Sequence, residues 1–147
     1  MKLMRIGVDL AKNVFQIHGV DRHEQPVWRQ RLPRDRWLQT VLDKIEPGCE
    51  IGMESCSGAH HWARQLQARG FQVRLIAPQF AKPYVKSNKN DANDAEAICE
   101  AMSCPSMRFV AVKTIEQQDI QATYRIRAGL IEQRTGCVAN YDRHVPC

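Results

Sequence analysis

The sequence predicts an α/β fold: a mixed five-stranded sheet flanked by helices and followed by a long C-terminal helix. Three observations carry this reading. Near the N-terminus, three short stretches alternate apolar and polar residues with only a few residues between them. From Pro33 onward the apolar spacing becomes helical, and helical stretches then alternate with short strand-like runs. Further along, Thr114 and Gln117 form a capping-box pattern at the head of a long helical stretch.

The first strand is "LMRIGVDL", with Met4, Ile6 and Val8 opposing Arg5, Gly7 and Asp9. "NVFQIHGVD" and "PVWRQRL" repeat the alternation around the polar turn "DRHEQ", which makes an antiparallel meander. Trp37, Leu38, Val41, Leu42 and Ile45 follow helical spacing until Pro47–Gly48 stops them. "CEIGME" is a strand closing on Glu54, and "SGAHHWARQLQARG" is a helix with its stop at Gly70. Trp37 and Trp62 fall on helix faces that suit a core. "FQVRLIA" is a strand ended by Pro78, and the basic loop "KPYVKSNKN" leads into the helix of "KNDANDAEAICEAM". "SCPSM" breaks that helix before the capping box. The organisation expected is a domain over 1–112, a long helix over 113–136 and an irregular tail over 137–147.

The balance of charge narrows the partners. Lys and Arg total 21 against 16 for Asp and Glu, giving +5 in 147 residues and a pI near 9.0. That points to a polyanion, nucleic acid before membrane. No run of apolar residues is long enough to span a bilayer, and the start lacks a signal peptide's apolar stretch, so the expected location is cytoplasmic. The six cysteines include no CxxC pair, which argues against a zinc ribbon or a thioredoxin-like site. Buried or idle thiols are the simpler reading.

The acidic residues carry the chemistry. In the usual arrangement for this element order, the first and fourth strands are parallel neighbours about 5 Å apart. Asp9 and Glu54 then share one end of the sheet, where open α/β sheets bind ligands. Two carboxylates that close repel, and a divalent cation removes the cost. Mg²⁺ takes carboxylate oxygens, keeps several waters and accepts phosphate oxygens. Asp91 and Asp94 begin the third helix at a spacing that shows both on one face, so they suit either capping or completion of the acidic cluster. Lys12 can touch a phosphate or be solvated. Lys82, Lys86 and Lys89 can hold a nucleic-acid backbone beside the cluster, with Tyr84 stacking on a base, or form a solvated loop. Glu96 and Glu100 read as the solvent face of their helix.

The blocks "IGVDLAK", "GMESCSG" and "KNDANDAEAI" closely resemble the three acidic blocks of DEDD transposases of the insertion-sequence one-hundred-ten family. The resemblance runs from about Arg5 to Thr135, with the blocks in the right order on the right elements. It implies a fold similar to the Holliday-junction resolvase version of ribonuclease H, with the acidic tetrad on Asp9, Glu54, Asp91 and Asp94. It also implies Mg²⁺-dependent (or Mn²⁺-supported) cleavage and exchange of DNA strands at the ends of the element and its target. Members of the family are similar in working as oligomers guided by a structured RNA.

Members also carry a second domain with a nucleophilic serine, which this sequence does not reach. Ser55, Ser57, Ser87, Ser103 and Ser106 are therefore not candidates for that role. The stretch after Arg134 loses its apolar spacing and ends in Pro146–Cys147, as a truncated or frameshifted reading frame would. Arg125, Arg127 and Arg134 on the long helix suit a dimerisation arm or a helix lacking its partner domain. Two other functions remain on this reading: an inactive module holding RNA or DNA, and a stand-alone endonuclease for branched DNA.

Overall fold

In the computed structural model of the chain the described residues are 2–86 and 90–144; of Asp91 and Asp142 the backbone alone is described. Two compact units are present, Met1–Val112 and Lys113–Cys147.

The first unit is built on a sheet of strands β1 (Arg5–Leu10), β2 (Val14–Val20), β3 (Pro26–Pro33), β4 (Glu50–Glu54), β5 (Gln72–Ile76) and β6 (Phe109–Val110). Their order is β3-β2-β1-β4-β5-β6. β1, β2 and β3 pair antiparallel as the expected meander, while β1–β4 and β4–β5 are parallel. The α/β class and the mixed sheet are as expected. The sheet has six strands rather than five, because the two residues of β6 pair antiparallel with Leu75 and Ile76.

Helices cover both faces. On one side, α1 (Trp37–Lys44) and α2 (Ser57–Gln67) bury Trp37, Val41, Ala59, Ala63 and Leu66 against Ile6, Val8, Phe15, Ile17, Ile51 and Met53. Trp37 is completely buried and meets Phe15 and Trp62 edge-on, with ring centroids 5.1 Å apart in both pairs. Gly48 and Gly70, the expected stops, have φ of 98° and 85°, a region open to glycine at little cost. On the other side, α4 (Asp91–Ala101) lies over β1 and β2. A smaller apolar cluster there joins Ile98, Ala101 and Met102 to Ile76 and Ala81. Between β5 and α4, residues Pro78–Ala81 form a short helix, α3, and Lys82–Tyr84 a 3-10 turn, so the basic loop is partly helical.

The second unit is one helix, α5 (Ile115–His144). Its capping box is formed as expected. Thr114 N–H donates to Gln117 Oε1 at 3.0 Å, and Gln117 N–H donates to Thr114 Oγ1 at 3.2 Å. The irregular stretch expected over 137–147 does not begin at 137, since the helix continues through His144. Loss of apolar spacing removes a buried face but not helix propensity, and nothing from Cys137 to His144 breaks a helix. The proline at 146 lies outside the described residues.

Candidate functional site

Gly7 and Gly52 face each other in the β1–β4 register and form a floor without side chains. A Cβ on Gly7 would lie 2.3 Å from Ala95 O and 2.7 Å from Cys99 N, and one on Gly52 would lie 2.1 Å from Met102 Sδ. Both glycines therefore face α4, and their absent side chains let the helix backbone settle onto the sheet. Side chains alternate along a strand, so Asp9 and Glu54, two residues further on, face the same way. Val8 is the partner of Met53. Asp9 and Glu54 follow directly on these two strands, about 5 Å apart. The expected adjacency of these two strand ends is thus present.

α4 runs antiparallel to β1. Arg5 Nε donates to Cys99 O at 2.9 Å, and Gly7 lies under Ala95 and Cys99. Two strand residues advance about 6.6 Å and four helical residues about 6 Å. One turn before Ala95 is Asp91, which brings the start of the helix level with Asp9. A parallel row, Asp94–Ile98–Met102, lies toward β4, since Met102 covers Gly52 and Ile98 packs with Ile76. Asp94 thus overhangs the end of β4, where Glu54 sits. Each aspartate of the first helical turn belongs to the row above one acidic strand. The side chain of Asp91 lies outside the described residues.

The capping role falls to neither aspartate. Asn90 is the N-cap, its side-chain oxygen accepting from Asn93 N–H at 2.9 Å, and Asp94 N–H donates to Asn90 O at 3.1 Å. The sequence offered this signal, because Asn is as good a cap as Asp and precedes both acids. Among the described residues, no group of three or more His, Cys, Asp or Glu side chains is close enough to hold a metal ion.

The cations divide into two sets. Lys86 is exposed but occupied, bonding Glu100 and, at 3.3 Å, Glu96. Arg29 also reaches Glu96, at 3.7 Å. Glu96 and Glu100 are therefore ion-pairing residues rather than a bare solvent face. Tyr84 is half-buried beside the smaller apolar cluster, and its hydroxyl is bonded to Cys104, which raises its pKa. Lys82 is exposed on the 3-10 turn, and Lys89 lies outside the described residues. Lys12 is exposed in the β1–β2 turn.

His18 is buried opposite Gly7, on the same face of the sheet. Burial lowers its pKa below the ordinary 6.5, and Arg29 adds to this while Glu96 opposes it. Burial pushes Cys49 up to about 12 and Cys99 up to about 11, so both stay protonated.

Fold and site together define an α/β domain with acidic residues where two parallel strands end and where the helix that covers them begins. The chain belongs to the DEDD transposase family of IS110 elements: the pattern of that family, described as transposase, matches residues 6–144. A probable family 20 transposase of Pseudomonas aeruginosa is 56% identical over 135 residues, which cover 92% of this chain and 39% of that protein. The transposase for insertion sequence element IS1111A of Coxiella burnetii is 49% identical over 133 residues, 90% of this chain and 36% of its own length. That for element IS1328 of Yersinia enterocolitica is 49% identical over 129 residues, 88% and 38% respectively. The chain thus spans rather more than a third of the length of these relatives. No helix among the described residues is long and apolar enough to cross a membrane.

Proposed function

We propose that the first unit is the metal-dependent, ribonuclease H-like nuclease domain of a transposase, acting on DNA phosphodiesters through Asp9, Glu54, Asp91 and Asp94. The observation that carries this reading is the glycine floor. Gly7 and Gly52 admit α4 to the sheet, and that close approach supports a grouping of the two acidic helix positions with the two acidic strand ends.

Mg²⁺ fits these donors. All four are carboxylates, which suit a hard cation, and Mg²⁺ usually takes only one or two from a protein and the remainder from water and phosphate. Asp9 and Glu54 would hold it, with Asp94 and Asp91 completing the centre as substrate arrives. The chemistry an ion held there would supply is Lewis acidity toward a phosphoryl oxygen and a lowered pKa for an attacking hydroxyl or water. The chain's own contribution is orientation. The parallel register fixes the two strand carboxylates, and the Asn90 cap fixes where the helical pair begins. The positive end of the α4 dipole lowers the cost of gathering the acids there. In the whole protein, the partners on this reading are element-end and target DNA, a structured guide RNA and further copies of the chain.

The test is a calorimetric Mn²⁺ titration of this chain beside Glu54→Gln and Asp94→Asn, without and with branched DNA. Saturable binding lost in both variants supports one shared metal centre. Identical weak binding in all three proteins under both conditions overturns it and leaves a nucleic-acid-binding module. Cutting of branched DNA by this chain alone favours the stand-alone endonuclease.

A further inference from the structure

The sheet register extends the acidic site in a direction the sequence motifs do not mark. Asp9 is the β1 partner of Gln16, and Gln16 is the β2 partner of Arg31. Because His18 and Gly7 are partners on the α4 face, Gln16 and Arg31 lie on that face too. One row across four strands therefore reads Arg31, Gln16, Asp9, Glu54.

We propose that Arg31, together with Lys12 of the β1–β2 turn, holds a backbone phosphate of the nucleic acid whose scissile bond faces Asp9 and Glu54. This extends the proposed nuclease reading and rests on it. Three observations support it. Arg31 is exposed, and among the described residues it enters no ion pair, whereas Arg29 and Lys86 are both spent on Glu96. The Lys12 turn is braced against the end of β3: Arg34 N–H donates to Asn13 O at 2.8 Å, and the Arg34 guanidinium donates to Lys12 O at 3.2 Å. Arg31 thus stands on a paired strand, and Lys12 in a turn tied by two hydrogen bonds to the residue after β3, which is what a positioning contact needs.

The spacing suits a polynucleotide. Two inter-strand steps separate Arg31 from Asp9, about 10 Å. Successive phosphates of a strand lie roughly twice the ~3.4 Å axial rise apart, so Arg31 meets a phosphate one or two nucleotides from the bond at Asp9. Gln16 fills the step between them with a neutral amide, which keeps a guanidinium from pairing directly with the Asp9 carboxylate.

The test is binding of a short DNA duplex and of an RNA hairpin to this chain in EDTA, followed by fluorescence anisotropy across a salt series. Arg31→Gln and Lys12→Gln are compared with Arg22→Gln, which removes the same charge from the β2–β3 turn at the opposite end of the sheet. Each of the first two variants should weaken binding roughly fivefold and lower the slope of log K against log salt by about one. Arg22→Gln should match the parent chain. A loss on duplex or hairpin supports the contact and identifies the strand it takes. Equality of Arg31→Gln and Arg22→Gln on both overturns it. EDTA separates this outcome from the metal reading, which the Mn²⁺ titration tests alone.

Discussion

Gly7 and Gly52 are register partners, yet a methyl group would meet different obstacles at each. At Gly7 it runs into the carbonyl of Ala95 and the amide of Cys99, neither of which can move without the helix. At Gly52 the obstacle is the flexible side chain of Met102. Gly7→Ala should therefore destabilise the fold by about 3 kcal/mol, and Gly52→Ala by roughly 1 kcal/mol, in chemical denaturation. Equal losses would remove the floor from the account of the site. His18 makes a second expectation at this scale. Its pKa is lower in the folded chain than its ordinary 6.5, so below that pH the unfolded chain binds the proton first. The contribution of neutral His18 is complete above pH 6.5 and is lost as pH falls toward the folded value. Denaturation midpoints of the parent chain should decline over that window more steeply than those of His18→Gln. The places of Asp9 and Glu54 near the ends of β1 and β4, and of Asp91 and Asp94 in the first turn of α4, were readable from sequence, since local periodicity marks strand ends and helix starts. Gly7, Gly52, Gln16 and Arg31 were not marked, because their roles depend on which strand lies opposite and which helix lies above.

The elements that could be read from sequence are those whose periodicity is local. β1, β2 and β3 alternate along their length, and α1 and α2 carry apolar stripes that meet a sheet. β6 escaped because two residues have no period, and Phe109 and Val110 become a strand only by pairing with Ile76 and Leu75. The end of α5 escaped for the opposite reason: an exposed helix needs no apolar stripe, so its loss after Arg134 was no terminus. Exposure makes the caps matter more. Thr114→Ala removes the acceptor of the Gln117 amide and should cost about 1 kcal/mol, visible as faster amide exchange in the first turn of α5. Asn90→Ala should cost a similar amount in α4. Because this cap sets where Asp91 and Asp94 begin, the variant should also weaken Mn²⁺ binding, and unchanged metal affinity would separate the cap from the site.

At the scale of the whole molecule, the two units have different surfaces. The first buries its large apolar residues in two clusters, while α5 exposes Ile120, Tyr124 and Val138 by 57%, 67% and 57%. Ile131 joins them at 39%, and these four residues recur at spacings of four, seven and seven along one side of the helix. Sedimentation equilibrium should show concentration-dependent association that Tyr124→Glu together with Ile131→Glu abolishes, with thermal unfolding of the first unit unchanged. The net charge of +5 pointed to a polyanion but not to a place on the surface, and the ion pairs of Lys86 and Arg29 show why. Charge counts do not distinguish cations already neutralised by their neighbours. The seam between β1 and β4 carries a last consequence. The acids of the proposed centre lie at positions 9, 54, 91 and 94, so that centre could assemble only after two crossovers have closed and α4 has docked. On the proposed function, an emerging or damaged chain holds no half-built blade. On that reading, strand cleavage waits for the finished fold, because no shorter stretch of the chain carries all four acids.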